Sequence, residues 1–185
     1  PYNGNKECFT LPQDFDPDES VVETCSTTTW VQLNLHLLEQ TGQAKYAVEA
    51  ERPVLNALMA AQYRDGIDWC YFTKANEDDR PSQAKITCCA SSGPRALEML
   101  SHYLFGEVEG GVSLTSLVPG STILPQALGE AKIKVTGDYP FSPKVRIRFE
   151  KASGKRFAIE FRDPSDAHLV RARINGQDVT LSKNN

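Results

Sequence analysis

The sequence predicts an α+β chain, with amphipathic helices in residues 1–108 and an antiparallel sheet in residues 109–185. Three observations carry this. Apolar residues recur at helical spacing as far as Phe105. After Gly110-Gly111 the period falls from 3.6 to 2. The chain is 185 residues long, 40% hydrophobic and 24% charged, which suits a folded core rather than a disordered tract. The net charge of −4 has no basic stripe, so a nucleic-acid partner is not expected. No apolar run reaches the roughly 18 residues of a membrane span, so no membrane partner is expected either.

Residues 1–25 read as irregular, with turn residues at Tyr2-Asn3-Gly4-Asn5 and an acidic, proline-bearing loop from Leu11 to Ser20. Helical spacing begins near Thr27, where Val31, Leu35 and Leu38 form a stripe and Gly42 supplies the C-terminal stop. A second helix is expected over Ala44 to Gln62, with Tyr46, Ala50, Val54, Leu58 and Ala61 on one stripe. Pro53 lies inside it and predicts a kink or break, because proline lacks the backbone donor and crowds the preceding turn. Asp65-Gly66 is a turn before a strand over Ile67 to Thr73. After a polar loop, a short strand from Ala84 to Thr87 leads to Cys88-Cys89, and a third helix is expected from Pro94 to Phe105.

The second half alternates. Val112 to Val118, Ile133 to Val135, Val145 to Phe149, Phe157 to Phe161 and Leu169 to Ile174 all place apolar residues at every other position. Asn175-Gly176 is a strong hairpin turn. Both halves look incomplete, since the helices present more apolar surface than they have partners for.

The chemistry-bearing residues are few. Five cysteines, at positions 8, 25, 70, 88 and 89, cannot all pair, and adjacent Cys88-Cys89 resists a mutual disulfide. Thiols or metal ligands are the better expectation. Glu23, Cys25, Cys88 and Cys89 offer one carboxylate and three sulfurs, all ligand types that zinc accepts. On an extended segment Glu23 and Cys25 would point to the same side, and a strand-to-helix corner would let the adjacent cysteines converge. The same cysteines read equally well as small buried hydrophobes. Glu7, next to Cys8-Phe9 and ahead of the acidic loop, is a candidate general acid or an ordinary loop carboxylate. His36, His102 and His168 read as packed or surface residues, and no phosphate-binding loop or nucleophile elbow is present.

Taken together, Glu7-Cys8-Phe9, Glu23-Thr24-Cys25, the run Thr41 to Ala47, Glu51-Arg52, Asp65-Gly66 and Cys88-Cys89 before Arg95 resemble glycoside hydrolase family 127, the β-L-arabinofuranosidase-like enzymes. The resemblance spans most of residues 5–120. It implies part of an (α/α)6 barrel over residues 1–108 and a β-sandwich segment over residues 109–185. It further implies a Zn2+ cofactor held by Glu23, Cys25, Cys88 and Cys89, Cys88 as nucleophile, Glu7 as acid/base, and an arabinofuranoside-type carbohydrate as substrate. The chain departs from the family's usual proline-asparagine stretch with Ala90-Ser91-Ser92-Gly93-Pro94, and Pro53 interrupts a helix that usually runs through.

The barrel helices expected ahead of the Glu7 segment are not in this sequence. A longer enzyme is therefore implied, with the isolated piece inactive and either self-associating or docking on the rest of the barrel. The contrasting expectation is a non-catalytic carbohydrate-binding or interaction module built on a structural zinc clamp. Free thiols favour a reducing interior such as the cytoplasm over export. The start at Pro1, without an initiator Met or an apolar leader, fits either a processed protein or part of a longer one.

Overall fold

A computed structural model describes residues 11–74, 76, 87–151, 154–162 and 171–182. The acidic loop is ordered by its own side chains. Asp16 accepts the Asp18 N–H on its carboxylate, and the Ser20 hydroxyl accepts the Asp16 N–H. The loop feeds strand β1 (Val21–Glu23), which runs directly into helix α1 (Thr24–Thr41). Val31, Leu35 and Leu38 are buried as the spacing predicts. Gly42 ends α1 in the left-handed conformation, φ 65°, with its N–H on the Leu38 carbonyl at 2.7 Å.

The chain then reverses into α2 (Ala44–Pro53), followed by a π-helical turn over Val54–Leu58 and the short α3 (Met59–Ala61). The expected disturbance at Pro53 thus takes the form of a change in helix type rather than a stop. The wider turn lets the chain continue past a residue with no donor. Ala50, Val54, Leu58 and Ala61 stay on one buried side and pack with Val31, Leu35, Trp69 and Ala96 as the helical core. Strand β2 (Phe72–Lys74) pairs antiparallel with β1, with Glu23 opposite Phe72. It is shorter than the strand expected over Ile67 to Thr73, where Trp69 instead makes a single bridge with Gln62.

Helix α4 (Thr87–His102) differs most from expectation. It starts seven residues before Pro94, so Cys88-Cys89 lie in its first turn and Pro94 sits inside the helix. The Thr28 hydroxyl of α1 donates to the Ser92 carbonyl at 3.1 Å and ties the two helices together close to the proline. Gly93 is required by contact, since a Cβ there would enter the indole ring of buried Trp69. Residues 84–86, where a strand was expected, lie outside the described residues.

The strand half begins at Phe105, which was expected to end a helix. Strands β3 (Phe105–Val108) and β4 (Gly111–Leu114) form a hairpin, and β5 (Gly120–Ile123), β6 (Lys132–Gly137) and β7 (Val145–Phe149) form an antiparallel sheet. Strand β8 (Ala158–Phe161) joins β4 in parallel, so that sheet is mixed. Strands β9 (Ala172–Ile174) and β10 (Gln177–Val179) make the hairpin at Asn175-Gly176. Val112, Leu124, Ala131 and Ile133 form a second core under these sheets. The α+β class holds, and among the described residues every strand pair is antiparallel except β4–β8. No helix among the described residues is long and apolar enough to cross a membrane.

A buried polar knot joins the helices to the strands. Glu51 of α2 binds the Arg162 guanidinium and the Ser116 hydroxyl, and accepts the Tyr139 hydroxyl at 2.8 Å. Arg162 also donates from Nε to the Thr115 carbonyl at 3.3 Å. Burial, and then the Glu51 carboxylate, push the Tyr139 phenol up, so it remains the donor. Glu51→Gln leaves the Arg162 charge buried without its counter-ion. The expected loss is about 3–5 kcal/mol of stability in denaturant unfolding, with partial recovery when Arg162→Met is added. Gly93→Ala is expected to push α4 off Trp69 and to cost about 1–3 kcal/mol, with a change in tryptophan emission that reports the displaced indole.

A candidate thiol metal centre

Two helices build the site. Helices α1 and α4 run parallel and in register, because their contacts repeat at one sequence offset of 64 residues. Cys25 Sγ meets Cys89 Sγ at 3.3 Å, the Thr28 hydroxyl meets the Ser92 carbonyl, and Tyr103 Oη donates to Glu39 at 3.3 Å. The N-terminal ends of both helices therefore meet at the cysteines. Each end carries a positive field that favours anionic sulfur.

Cys25, Cys88 and Cys89 bring their sulfurs within 4.8 Å of one another, and among the described residues they form the group able to hold a metal ion. Cys88 and Cys89 are 3.9 Å apart. Neighbours in a helix diverge by about 100°, so a third helix-borne sulfur beside them can complete a concave set. None of the three is in a disulfide, and neither is buried Cys70. Cys70 lies outside the cluster, and its carbonyl accepts the Thr24 hydroxyl at 2.7 Å, fixing the start of α1. Cys8 lies outside the described residues.

The three sulfurs differ in surroundings. Cys89 is fully buried, Cys25 is half-buried and Cys88 is exposed. Burial pushes the Cys89 thiol far up, and the neighbouring Cys25 adds to it. Burial also raises Cys25, opposed by its contact with the Ser92 hydroxyl at 3.3 Å. Without a cation both are therefore protonated at neutral pH. Ser92 is itself buried and touched by the Arg95 guanidinium at 3.4 Å, which links the exposed face of α4 to the cluster. Sequence reasoning did not single out Ser92. Its signal was only its place three residues after Cys89, one helical turn on.

Glu23 is the last residue of β1 and the N-cap position of α1, and it is buried. Helix α1 begins at Thr24, so Glu23 and Cys25 straddle a strand-helix boundary rather than sharing an extended segment. The Glu23 carboxylate accepts the Ser26 hydroxyl at 3.2 Å and is not within the 4.8 Å group. Glu7 lies outside the described residues. His36 and His102 are exposed and face Glu39 and Glu98, away from any catalytic grouping. His168 also lies outside the described residues.

Comparisons with known proteins identify the fold and the family. No curated protein matches the sequence. Among solved structures the chain is similar to one titled "Glycoside hydrolase", at 23% identity and TM-score 0.77 over 90% of this chain and 30% of that one. A GH127 β-arabinofuranosidase matches at 19% identity and TM-score 0.74, over 90% of this chain and 29% of that one. A GH127 β-L-arabinofuranosidase from Geobacillus stearothermophilus T6 matches at 23% identity and TM-score 0.72, over 93% of this chain and 29% of that one. These likenesses establish the fold, and this chain spans less than a third of each of those proteins. Residues 2–102 match the family profile described as "Beta-L-arabinofuranosidase, GH127 catalytic domain", more than half of the chain, and the protein belongs to that glycoside hydrolase family.

Proposed function

We propose that this chain carries the zinc-thiolate centre and the two reacting groups of a retaining β-L-arabinofuranosidase-type glycosidase. The observation that supports the reading most is the convergence of three free sulfurs on two helix N-termini. The donor set fits the metal. Zinc–sulfur bonds of about 2.3 Å in a tetrahedron set sulfur–sulfur edges of about 3.8 Å, and the two short edges here are 3.3 and 3.9 Å. Cys25, Cys88 and Cys89 would be ligands, with the nearby Glu23 carboxylate as the fourth. Bound zinc would keep these sulfurs deprotonated near neutral pH.

The unequal burial divides the work. Cys89 and Cys25, enclosed between α1 and α4, suit permanent ligands, whereas exposed Cys88 can reach a sugar. In this reading the Cys88 sulfur attacks the anomeric carbon, and the carbon–oxygen bond to the leaving group breaks. Glu7 protonates the departing oxygen, leaving a thioglycosyl enzyme. Glu7 then takes a proton from water as that water attacks the same carbon, and the Cys88 sulfur departs with its electron pair. Two inversions give net retention. The substrate is an arabinofuranoside, and the remainder of a longer barrel completes the sugar pocket.

A closed structural zinc clamp in a carbohydrate-binding module is the second reading, favoured by the complete burial of Cys89. The exposure of Cys88 speaks against it, since a closed site has no use for an accessible sulfur.

Metal analysis of the purified chain is expected to find one zinc per chain. Because Cys25 and Cys89 start as neutral thiols, zinc binding must displace their protons, so affinity falls as pH is lowered. Calorimetry in buffers of different ionisation heat measures that release, and pH-independent binding would overturn the assignment. In an enzyme with its full barrel, Cys88→Ser and Glu7→Gln are each expected to reduce sugar release by about 10²-fold or more, with the fold retained. If Glu7→Gln stays active the acid/base role is wrong, and activity in both variants removes the mechanism.

A further inference from the structure

The wet face of the β6–β7 hairpin carries an excess of positive charge. Residues 132–151 carry six cations and two carboxylates in a chain whose net charge is −4. Strand alternation buries Ile133 and Val135 and turns Lys132, Lys134, Arg146 and Arg148 to solvent. At the end away from the turn, Lys132 is neutralised across the strands by Glu150 at 2.7 Å. The next cross-strand pair on that face is Lys134 opposite Arg148, and the one after is Thr136 opposite Arg146.

Like charges directly opposite on one sheet face destabilise the pairing, and wet faces normally interleave signs to avoid this. Among the described residues Lys134, Arg146 and Arg148 have no ion-pair partner. On the third strand, Lys134 faces Ser121 and Lys132 faces Ile123, neither of which offers a charge. The field of the cluster is visible at Glu150. The Lys132 hydrogen bond foremost, and then the charges of Lys132, Lys134 and Arg148, hold its carboxyl below the usual range.

We propose that this face is a docking surface for a polyanionic polysaccharide, one whose sugars carry carboxylates. The proposal deepens the glycosidase reading and rests on it for the class of polymer. Lys134, Arg146 and Arg148 would each take a carboxylate, at intervals set by the sheet: about 4.8 Å between strands and about 6.8 Å between alternate residues. A polymer with repeated charge can follow such a grid, and each contact removes the repulsion that the empty face carries. Nucleic acid and anionic bilayers share the charge, and the glycosidase reading is what favours a sugar polymer over both.

The test is binding of the full chain to polygalacturonate, to neutral linear arabinan and to duplex DNA, by affinity electrophoresis at increasing salt. Retention by polygalacturonate that weakens with salt, with none by arabinan, is expected. Replacing Lys134, Arg146 and Arg148 together with Gln should weaken it about tenfold, as the loss of three exposed ion pairs implies. The exchange Lys134→Arg with Arg148→Lys should preserve binding, which separates charge from folding. Salt-independent retention, equal retention by arabinan, DNA bound as tightly as polygalacturonate, or an unchanged triple variant would each overturn the proposal. Its failure is distinct from that of the catalytic reading, because the zinc content of the triple variant should match the parent. A zinc-free chain that still binds polygalacturonate would sink the catalytic reading and leave this surface standing.

Discussion

Two parallel helices set side by side at the same end create an electrostatic problem, and the rest of the structure is arranged around it. Helices α1 and α4 place their positive ends next to each other, where their dipoles repel. Three cysteine sulfurs occupy that junction. As neutral thiols they do little to relieve it, and burial keeps Cys25 and Cys89 in that state. As thiolates around a cation they would place negative sulfur where the helices offer positive potential. The geometry that makes the helix pair awkward without a ligand is the one that would make it a good host. The hydroxyls of Thr24, Thr27, Thr28 and Thr29, each donating to a backbone carbonyl, brace the first turns of α1.

The knot around Glu51 does for the two halves of the chain what the sulfurs do for the two helices. It gathers Ser116 after β4, Tyr139 in the β6–β7 connection and Arg162 after β8 onto one carboxylate of α2. Three separate strand connections are thereby tied to one helical residue. A buried ion pair adds little net stability compared with a well-packed apolar contact, but its directionality fixes which surfaces meet. The helices and strands are therefore joined at a defined point and not merely tethered through residues 103–105.

Local signals were legible where local physics decides. Gly42, the Val31–Leu35–Leu38 stripe, the alternation of Val145 to Phe149 and the Asn175-Gly176 turn each fixed their own element. The start of α4 was not legible. Pro94 is suited to a first turn, yet it sits eight positions into a helix that packs through Gly93 on Trp69 and through Ser92 on Thr28. The role of Glu51 was hidden for a similar reason, since its partners lie 65, 88 and 111 residues away. The cysteines were recognisable as a set. Their meeting point was not, because it depends on a register between helices that no short window contains.

That register has an evolutionary corollary. The constant offset of 64 between α1 and α4 leaves no slack inside either helix, since one added residue would rotate every later rung out of phase. The turns at Gly42-Gln43 and Asp65-Gly66 carry no such bookkeeping. Natural length variation in descendants of this chain should therefore collect in those turns, and homologues with different offsets should still place their sulfurs together.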